Sequence, residues 1–244
     1  MYRDILQSTA HRKSLLPEGS WIMTQKWNDL LFIHLPVPSN IISELLPKGL
    51  ELDTFDGKAW ITIIPFRVTS MRIRNLPPLP FINSYLELNV RTYVKRRGKT
   101  GVYFFSLDAN NLLAVIGARI LSLPYYFAQM RMKKKRKIEF KSRRKGKTSA
   151  CLDVSYRTSD EAFYTDESSL DYWLLERYHL WSYRNDSLYQ GDIHHKQWKV
   201  SNVEVYISQQ QILSYFPDDT IIGNPLFHYA STKRVLFWPI KKVE

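Results

Sequence analysis

At 244 residues, with 44% hydrophobic and 14% aromatic content, the chain can bury a core without staples, and nine glycines and twelve prolines exclude a fibrous or low-complexity chain. The formal charge of +12 invites a nucleic-acid partner, yet residues 131–147 hold eleven Lys or Arg against one acid and so carry +10 of that charge. The single cysteine, Cys151, rules out an internal disulfide. It points to a reducing cytoplasm, and the absence of a leader-like segment or of ~20 consecutive apolar residues argues against export or a membrane span.

In chain order, residues 2–16 read as a short amphipathic helix ending near Pro17, and QKWNDLLFIHLPVP as a strand closed by Pro36 and Pro38. SNIISELLPKGL predicts a short helix opened by Ser39 or Asn40 and stopped by Pro47 and Gly49. Asp56-Gly57 predicts a hairpin turn between two extended runs, the second reaching about Arg74, and NLPPLP is a loop. Residues 84–96 and 101–109 form strands around KRRGKT, and 111–123 a helix.

The basic segment alternates around Ile138 and Phe140 and turns at Lys145-Gly146-Lys147 before TSACLDVSYR, which predicts a β-hairpin with a solvated basic face. SSLDYWLLERY has a serine cap and helical spacing. HLWSYRNDSLYQGDIHHKQWKVSNVEVYI alternates like strands around a turn at Gln190-Gly191, QQILSYF reads as a last helix, and LFHYASTKRVLFWPIKKV as a final hairpin. No repeat or linker interrupts the chain. The fold class is therefore α+β and mainly antiparallel β, one domain over residues 1–244, closing or nearly closing into a barrel.

Chemistry concentrates between Tyr85 and Met130. In YLELNVRTYV, Leu86, Leu88, Val90 and Val94 share one face, while Tyr85, Glu87, Asn89, Arg91 and Tyr93 share the other. On an open sheet the second face is simply wet; in a closed one it lines a lumen. The helix that follows is apolar on nearly every side and so is expected to be buried, with Arg119 inside its stripe of Leu112, Val115, Ile116, Ile120 and Leu123. A buried guanidinium keeps its proton and needs an anionic partner, either Asp108 or Glu87 in a structural pair or a ligand. Pro124 then introduces the paired hydroxyls of Tyr125 and Tyr126.

Other signals are weaker. His194-His195 and His228 lack the carboxylate spacing of a metal site, so no metal is expected. Glu176-Arg177 reads as a helix-end salt bridge, and Trp60, Trp181 and Trp198 as core. No phosphate-cradling glycine loop or G-x-S-x-G elbow occurs, so no cofactor is expected.

The blocks LLFIHLPVP, LPKGLELDTFDGKAWITIIPF, YLELNVRTYV and GVYFFSLDANNLLAVIGARILSLPY, with ERYHLW, HHKQW and HYA later, resemble the YqjF-like proteins. These are an uncharacterised bacterial family in the acetoacetate decarboxylase-like superfamily. The resemblance covers nearly the whole chain and implies a cone-shaped antiparallel double β-barrel with peripheral helices, enclosing a pocket. In acetoacetate decarboxylase itself, a comparable strand carries a glutamate, and a helix opened by glycine reaches a proline followed by two lysines, the first of which forms a Schiff base. By that resemblance Glu87 matches the glutamate, and Gly117 to Pro124 keeps the spacing. Arg119 falls where the enzyme carries an acid, Ala118 at its arginine, and Tyr125 and Tyr126 replace the lysine pair. No lysine occupies an apolar stripe, so imine chemistry is not expected.

The resulting expectation is a small-molecule ligand in a barrel pocket. Glu87 would serve as acid, base or acceptor, Arg119 would pair with it or hold a carboxylate, and Tyr125 or Tyr126 would donate a hydroxyl. The alternative is an interaction protein contacting polyanions through the basic hairpin 131–147. That run lacks interleaved exposed aromatics on which single-stranded bases could stack, which argues against nucleic acid as the partner. Oligomeric state has no signature in these motifs.

Overall fold

The computed structural model describes residues 2–243 except 79, 147, 159, 160, 215, 218 and 219. Tyr2–Gln7 forms α1 and Met23–Val37 the long strand β1; α2 (Ser39–Leu45) ends where Pro47 cannot extend it. Then come β2 (Glu51–Leu52), β3 (Ala59–Ile73), β4 (Tyr85–Arg96), β5 (Lys99–Ala109), α3 (Leu112–Ile120) and β6 (Tyr125–Phe127). They are followed by β7 (Gln129–Lys134), β8 (Ile138–Arg144), β9 (Ala150–Thr158), β10 (Phe163–Tyr164) and α4 (Leu170–Leu175). The chain finishes with β11 (His179–Arg184), β12 (Ser187–His194), β13 (Lys199–Val200), β14 (Val203–Gln210), β15 (Leu226–Phe237) and β16 (Lys241–Val243).

Strand pairing runs β4–β3–β1–β15–β12–β11–β5, and β5 pairs back onto β4, so seven strands close a ring. The pairs are antiparallel except β11–β5 and, at the edge, β5–β6. Two local features permit closure. Arg97-Gly98, at φ 46° and 78°, makes the two-residue turn between β4 and β5. Gly101 lets β11 approach, because a Cβ there would collide with the His179 carbonyl and the Trp181 ring.

A second sheet, β14–β9–β8–β7, packs outside the ring. Leu31, Ile33, Ile61, Ile63, Leu86 and Leu88 meet Phe140, Leu152 and Val154 in one core between the sheets. The alternate residues Leu30, Phe32, Ile64, Phe66, Tyr85 and Tyr93 gather instead with Val102, Phe104 and Leu107 of β5 and with Ala230 of β15. Side chains from strands on different sides of the ring share that second core, so it is the ring's interior.

Several expectations change. The Asp56-Gly57 turn exists, but only the Phe55–Lys58 bridge flanks it, and β2 pairs with β4 instead of β3. The turn placed at Gln190-Gly191 lies at Asn185-Asp186, both in the left-handed region, a two-residue β11–β12 hairpin connection. Gly191 sits within β12 because the Leu180 side chain would lie 2.8 Å from a Cβ. QQILSYF is no helix: 212–214 form a turn, and Tyr215 is outside the described residues. β15 and β16 both pair with β12 and not with each other, which replaces the final hairpin. The basic segment folds as β7 and β8 with an additional turn at 135–137, while β8 pairs antiparallel with β9 as expected across the connection after Arg144, in which Lys147 is outside the described residues.

Candidate ligand-binding site

β4 supplies the inward polar row. Glu87 and Asn89 are buried, so the face that could have been wet is enclosed. Across the sheet Glu87 pairs with Phe66 and Ala109, Asn89 with Ile64 and Leu107, and Arg91 with Thr62 and Phe104. The row thus crosses successive layers of the ring interior.

Glu87 is the centre of a hydrogen-bonded chain. Tyr125 Oη donates to Glu87 Oε2 over 3.0 Å. Tyr85 and Asn89 also hydrogen-bond the carboxylate. Gln25 Nε2 donates to Tyr85 Oη at 3.2 Å, and Trp27 Nε1 to Gln25 Oε1 at 2.7 Å. Tyr125 reaches Glu87 because β5, α3 and β6 form a parallel crossover that pairs Tyr125 with Leu107, one strand from β4. Burial pushes the Glu87 carboxyl up from 4.5 to about 7, outweighing the hydrogen bonds that favour its charged form. Burial and the nearby Glu87 charge raise the Tyr125 hydroxyl well above its ordinary value, so it stays a donor.

Two surface clefts flank this carboxyl, and one tyrosine partner lines each. Tyr85 lines a cleft of about 380 Å³ with Arg67, Ser84, Asn110 and Arg131. Tyr125 lines one of about 280 Å³ with Arg119, Tyr126, Tyr183 and Arg184.

The next layers hold the less satisfied groups. Arg91 keeps some accessible surface, but its Nε is sealed without a hydrogen-bond partner, and it has no carboxylate partner among the described residues. Tyr93 hydrogen-bonds its guanidinium, and the Tyr93 ring centre lies 5.9 Å from the guanidinium carbon. Beside it His34 Nδ1 lies 2.9 Å from Thr62 Oγ1, which lies 2.6 Å from Tyr93 Oη. The His34 and His228 rings meet edge-on at 5.3 Å. Burial, then His228 and Arg91, hold the His34 imidazole well below its usual value, so it is neutral. His34 Nε2, His228 Nδ1, Asn89 Oδ1 and Trp60 Nε1 are also buried without a partner among the described residues. Each orphaned group costs about 1–3 kcal/mol, and their convergence on one interior is the feature of this region.

The expected burial of Arg119 is overturned. It lies exposed on α3, and its Nε donates to the Tyr125 carbonyl at 2.7 Å, pairing with neither Asp108 nor Glu87. α3 itself buries only Val115. Asp108 is instead met by Arg144 at 3.0 Å in a buried ion pair, although burial still lifts its carboxyl to about 6. Tyr126 points away from Glu87, with Arg144 at 4.3 Å and Arg119 at 5.7 Å from its ring. Of the four expected residues, the Glu87 and Tyr125 side chains touch, while Arg119 reaches the Tyr125 carbonyl and the Tyr126 ring in the outer cleft and neither it nor Tyr126 meets Glu87.

One lysine does enter the interior, contrary to expectation. Lys233 of β15 is buried over the Trp198 ring at 4.9 Å, and Nζ donates to the carbonyls of Lys196 (3.2 Å) and Gln197 (2.6 Å). Burial brings its amine down to about 8, opposed by Glu176. Glu176 in turn accepts from the Trp198 amide at 2.7 Å and from the Tyr178 hydroxyl, and Arg177 pairs with Asp53 at 2.6 Å. Among the described residues no group of three or more His, Cys, Asp or Glu has metal-binding proximity, and no helix is long and apolar enough to cross a membrane.

Comparison with known proteins agrees with the architecture. The sequence profile of a family described as uncharacterized conserved protein, DUF2071, matches residues 24–233. The uncharacterized protein YqjF of Bacillus subtilis (strain 168) is 45% identical over 229 residues, covering 93% of this chain and 95% of that protein. An acetoacetate decarboxylase-like enzyme from Sphingomonas wittichii RW1 superimposes with a TM-score of 0.62 at 11% identity, over 93% of this chain and 94% of that one. The enduracididine biosynthesis enzyme MppR, complexed with pyruvate, gives 0.63 at 9% identity, over 95% and 93%. At such identities the structural likeness establishes the acetoacetate decarboxylase-like fold alone.

Proposed function

This chain belongs to the DUF2071 family of uncharacterized conserved proteins, and we propose that it binds a small carboxylate-bearing molecule inside the strand ring, between Glu87 and Arg91. The observation that carries this reading is Arg91: a guanidinium facing the interior, hydrogen-bonded to the Tyr93 phenol but with no carboxylate partner among the described residues, whose Nε lies unpaired among four other orphaned polar atoms. A guanidinium cannot shed its proton, and a carboxylate ligand would satisfy it bidentately. Arg91 thereby takes the role that sequence reasoning gave to Arg119.

Glu87 is the proton-exchanging group in this reading. With its carboxyl near 7, it is about half protonated at neutrality, which suits either direction of transfer. Tyr125 and Tyr85 hold it and offer hydroxyls to a ligand oxygen. The structural neighbour complexed with pyruvate lends support to a small oxo acid as a ligand of such a fold. Cys151, buried and unpaired, suits the cytoplasm as the compartment.

Differential scanning fluorimetry with small carboxylates and their methyl esters tests the proposal. Carboxylates should raise the melting temperature and esters should not. Equal shifts for both, or none for either, would remove the site.

A polyanion role for the basic segment is the weaker reading. Five of its eleven cations already have acid partners: Lys134 with Asp29, Lys137 with Glu139, Lys141 and Arg143 with Asp153, and Arg144 with Asp108. Retention on heparin that disappears when Lys133, Lys135 and Arg136 are neutralised would favour it.

A further inference from the structure

α3 carries its apolar stripe on the outside. Leu113, Ile116, Gly117 and Ile120 follow the i, i+3, i+4, i+7 spacing that normally faces a core, yet Leu113, Ile116 and Ile120 are 59%, 49% and 77% exposed. Leu112 and Leu121 flank the stripe, each more than half exposed. Phe81, whose carbonyl accepts from the capping Asn111 side chain, adds an 84% exposed ring at the N-terminal end. Phe127 of β6, paired with Ala109 just before α3 begins, is 47% exposed at that same end. Together they leave bare apolar surface on the order of several hundred Å², the size of the largest patch on a typical monomer, which is often functional. That approaches the roughly 800 Å² per partner of a specific interface.

Gly117 is the second observation. It lies inside the helix, where glycine costs stability relative to alanine, and a Cβ there would meet nothing within 4 Å. Nothing in its own chain requires glycine, whereas a helix crossing from outside would, because a missing side chain lets two backbones approach.

We propose that this face of α3 is a self-association surface on which a second copy of the chain docks antiparallel. The stripe is symmetric about the midpoint between Ile116 and Gly117. A two-fold crossing there sets Leu113 of one copy opposite Ile120 of the other, and Ile116 opposite Gly117. An isologous contact needs no complementary charge, and the stripe has none: Arg119, the one charge of α3, is turned to the Tyr125 carbonyl. The contact would stand beside the cleft that Arg119, Tyr125 and Tyr126 line, so association would cover one approach to the Glu87 partner Tyr125.

Sedimentation velocity from micromolar to sub-millimolar concentration tests this surface. A monomer–dimer equilibrium is expected, with Ile116→Glu raising the dissociation constant about tenfold or more. Gly117→Leu has room in a single chain, so its circular dichroism and melting temperature should hold while the dimer is lost. Gly117→Cys should form a disulfide-linked dimer under mild oxidation, since the native Cys151 is buried. A monomer at every concentration, or a dimer indifferent to both Ile116→Glu and Gly117→Leu, overturns the proposal. So does a monomer that co-sediments with phosphatidylserine vesicles through the same face.

Discussion

Glu87 and Arg91 share the inward face of β4, two layers apart, and neither is the other's ion partner. Four residues of strand separate their Cα atoms by roughly 13 Å, enough for a small molecule to meet both side chains. Arg144, by contrast, is neutralised within the chain by Asp108.

The two arginines should therefore respond oppositely to substitution. Arg91→Met removes a poorly solvated charge whose partner in the chain is the Tyr93 phenol and not a carboxylate, and is expected to leave ligand-free stability unchanged or raised by about 1 kcal/mol. Arg144→Met strands Asp108 and should cost about 3–5 kcal/mol. Urea unfolding of both variants checks the contrast, and equal losses would show that Arg91 is held as firmly by its own neighbours as Arg144 is by Asp108.

Stability should fall with rising pH across the window that Glu87 defines. Its carboxyl is at about 7 when folded against 4.5 ordinarily, so the native state binds the proton more tightly. The contribution is complete below 4.5 and is lost as pH rises to about 7, amounting to roughly 3 kcal/mol. Glu87→Gln should flatten the difference curve over that range while leaving the slope from Asp108. Unfolding free energies compared at pH 5 and pH 8 give the answer.

Tyr125→Phe removes the hydroxyl that holds the Glu87 carboxylate down, so the carboxyl should move to still higher pH. The lost hydrogen bond to a buried charged group should cost about 1.5–3 kcal/mol above that pH and little below it. Carbon-detected NMR titration of the glutamate carboxyl resonances follows the inflection directly. Arg119→Ala serves as the comparison and should leave it in place.

Borohydride reduction in the presence of pyruvate should trap no covalent adduct. Tyr125 and Tyr126 cannot form an imine, and Lys233 is held by two backbone carbonyls over the Trp198 ring, outside the Glu87–Tyr125 pair. Intact mass reads the outcome. An adduct in the wild type that Lys233→Arg abolishes would move the chemistry to the far side of Trp198.

The sequence reveals what depends on local periodicity. Alternation along β4 separates Leu86 and Leu88 from Glu87 and Asn89, and the structure keeps that division. The burial of α3 was not legible, because an apolar stripe reports a face without reporting what covers it. Arg144 was legible and missed. Ile138, Phe140, Ser142 and Arg144 all point inward along β8, so the alternation used for Ile138 and Phe140 already implied a buried arginine. Asn185-Asp186 was a stronger turn signal than Gln190-Gly191, since Asn and Asp tolerate the left-handed region. The inward turn of Lys233 was masked because both faces of β15 are apolar beyond it: Val235 shares its face, while Leu236 is buried on the other.

Isothermal titration of pyruvate into the wild type and into Arg91→Met tests the central claim most directly. The claim predicts saturable binding to the wild type and a loss of affinity of about a hundredfold in Arg91→Met, with Arg119→Ala unaffected. Binding that survives Arg91→Met and fails in Arg119→Ala would contradict it, returning the anion to the outer cleft.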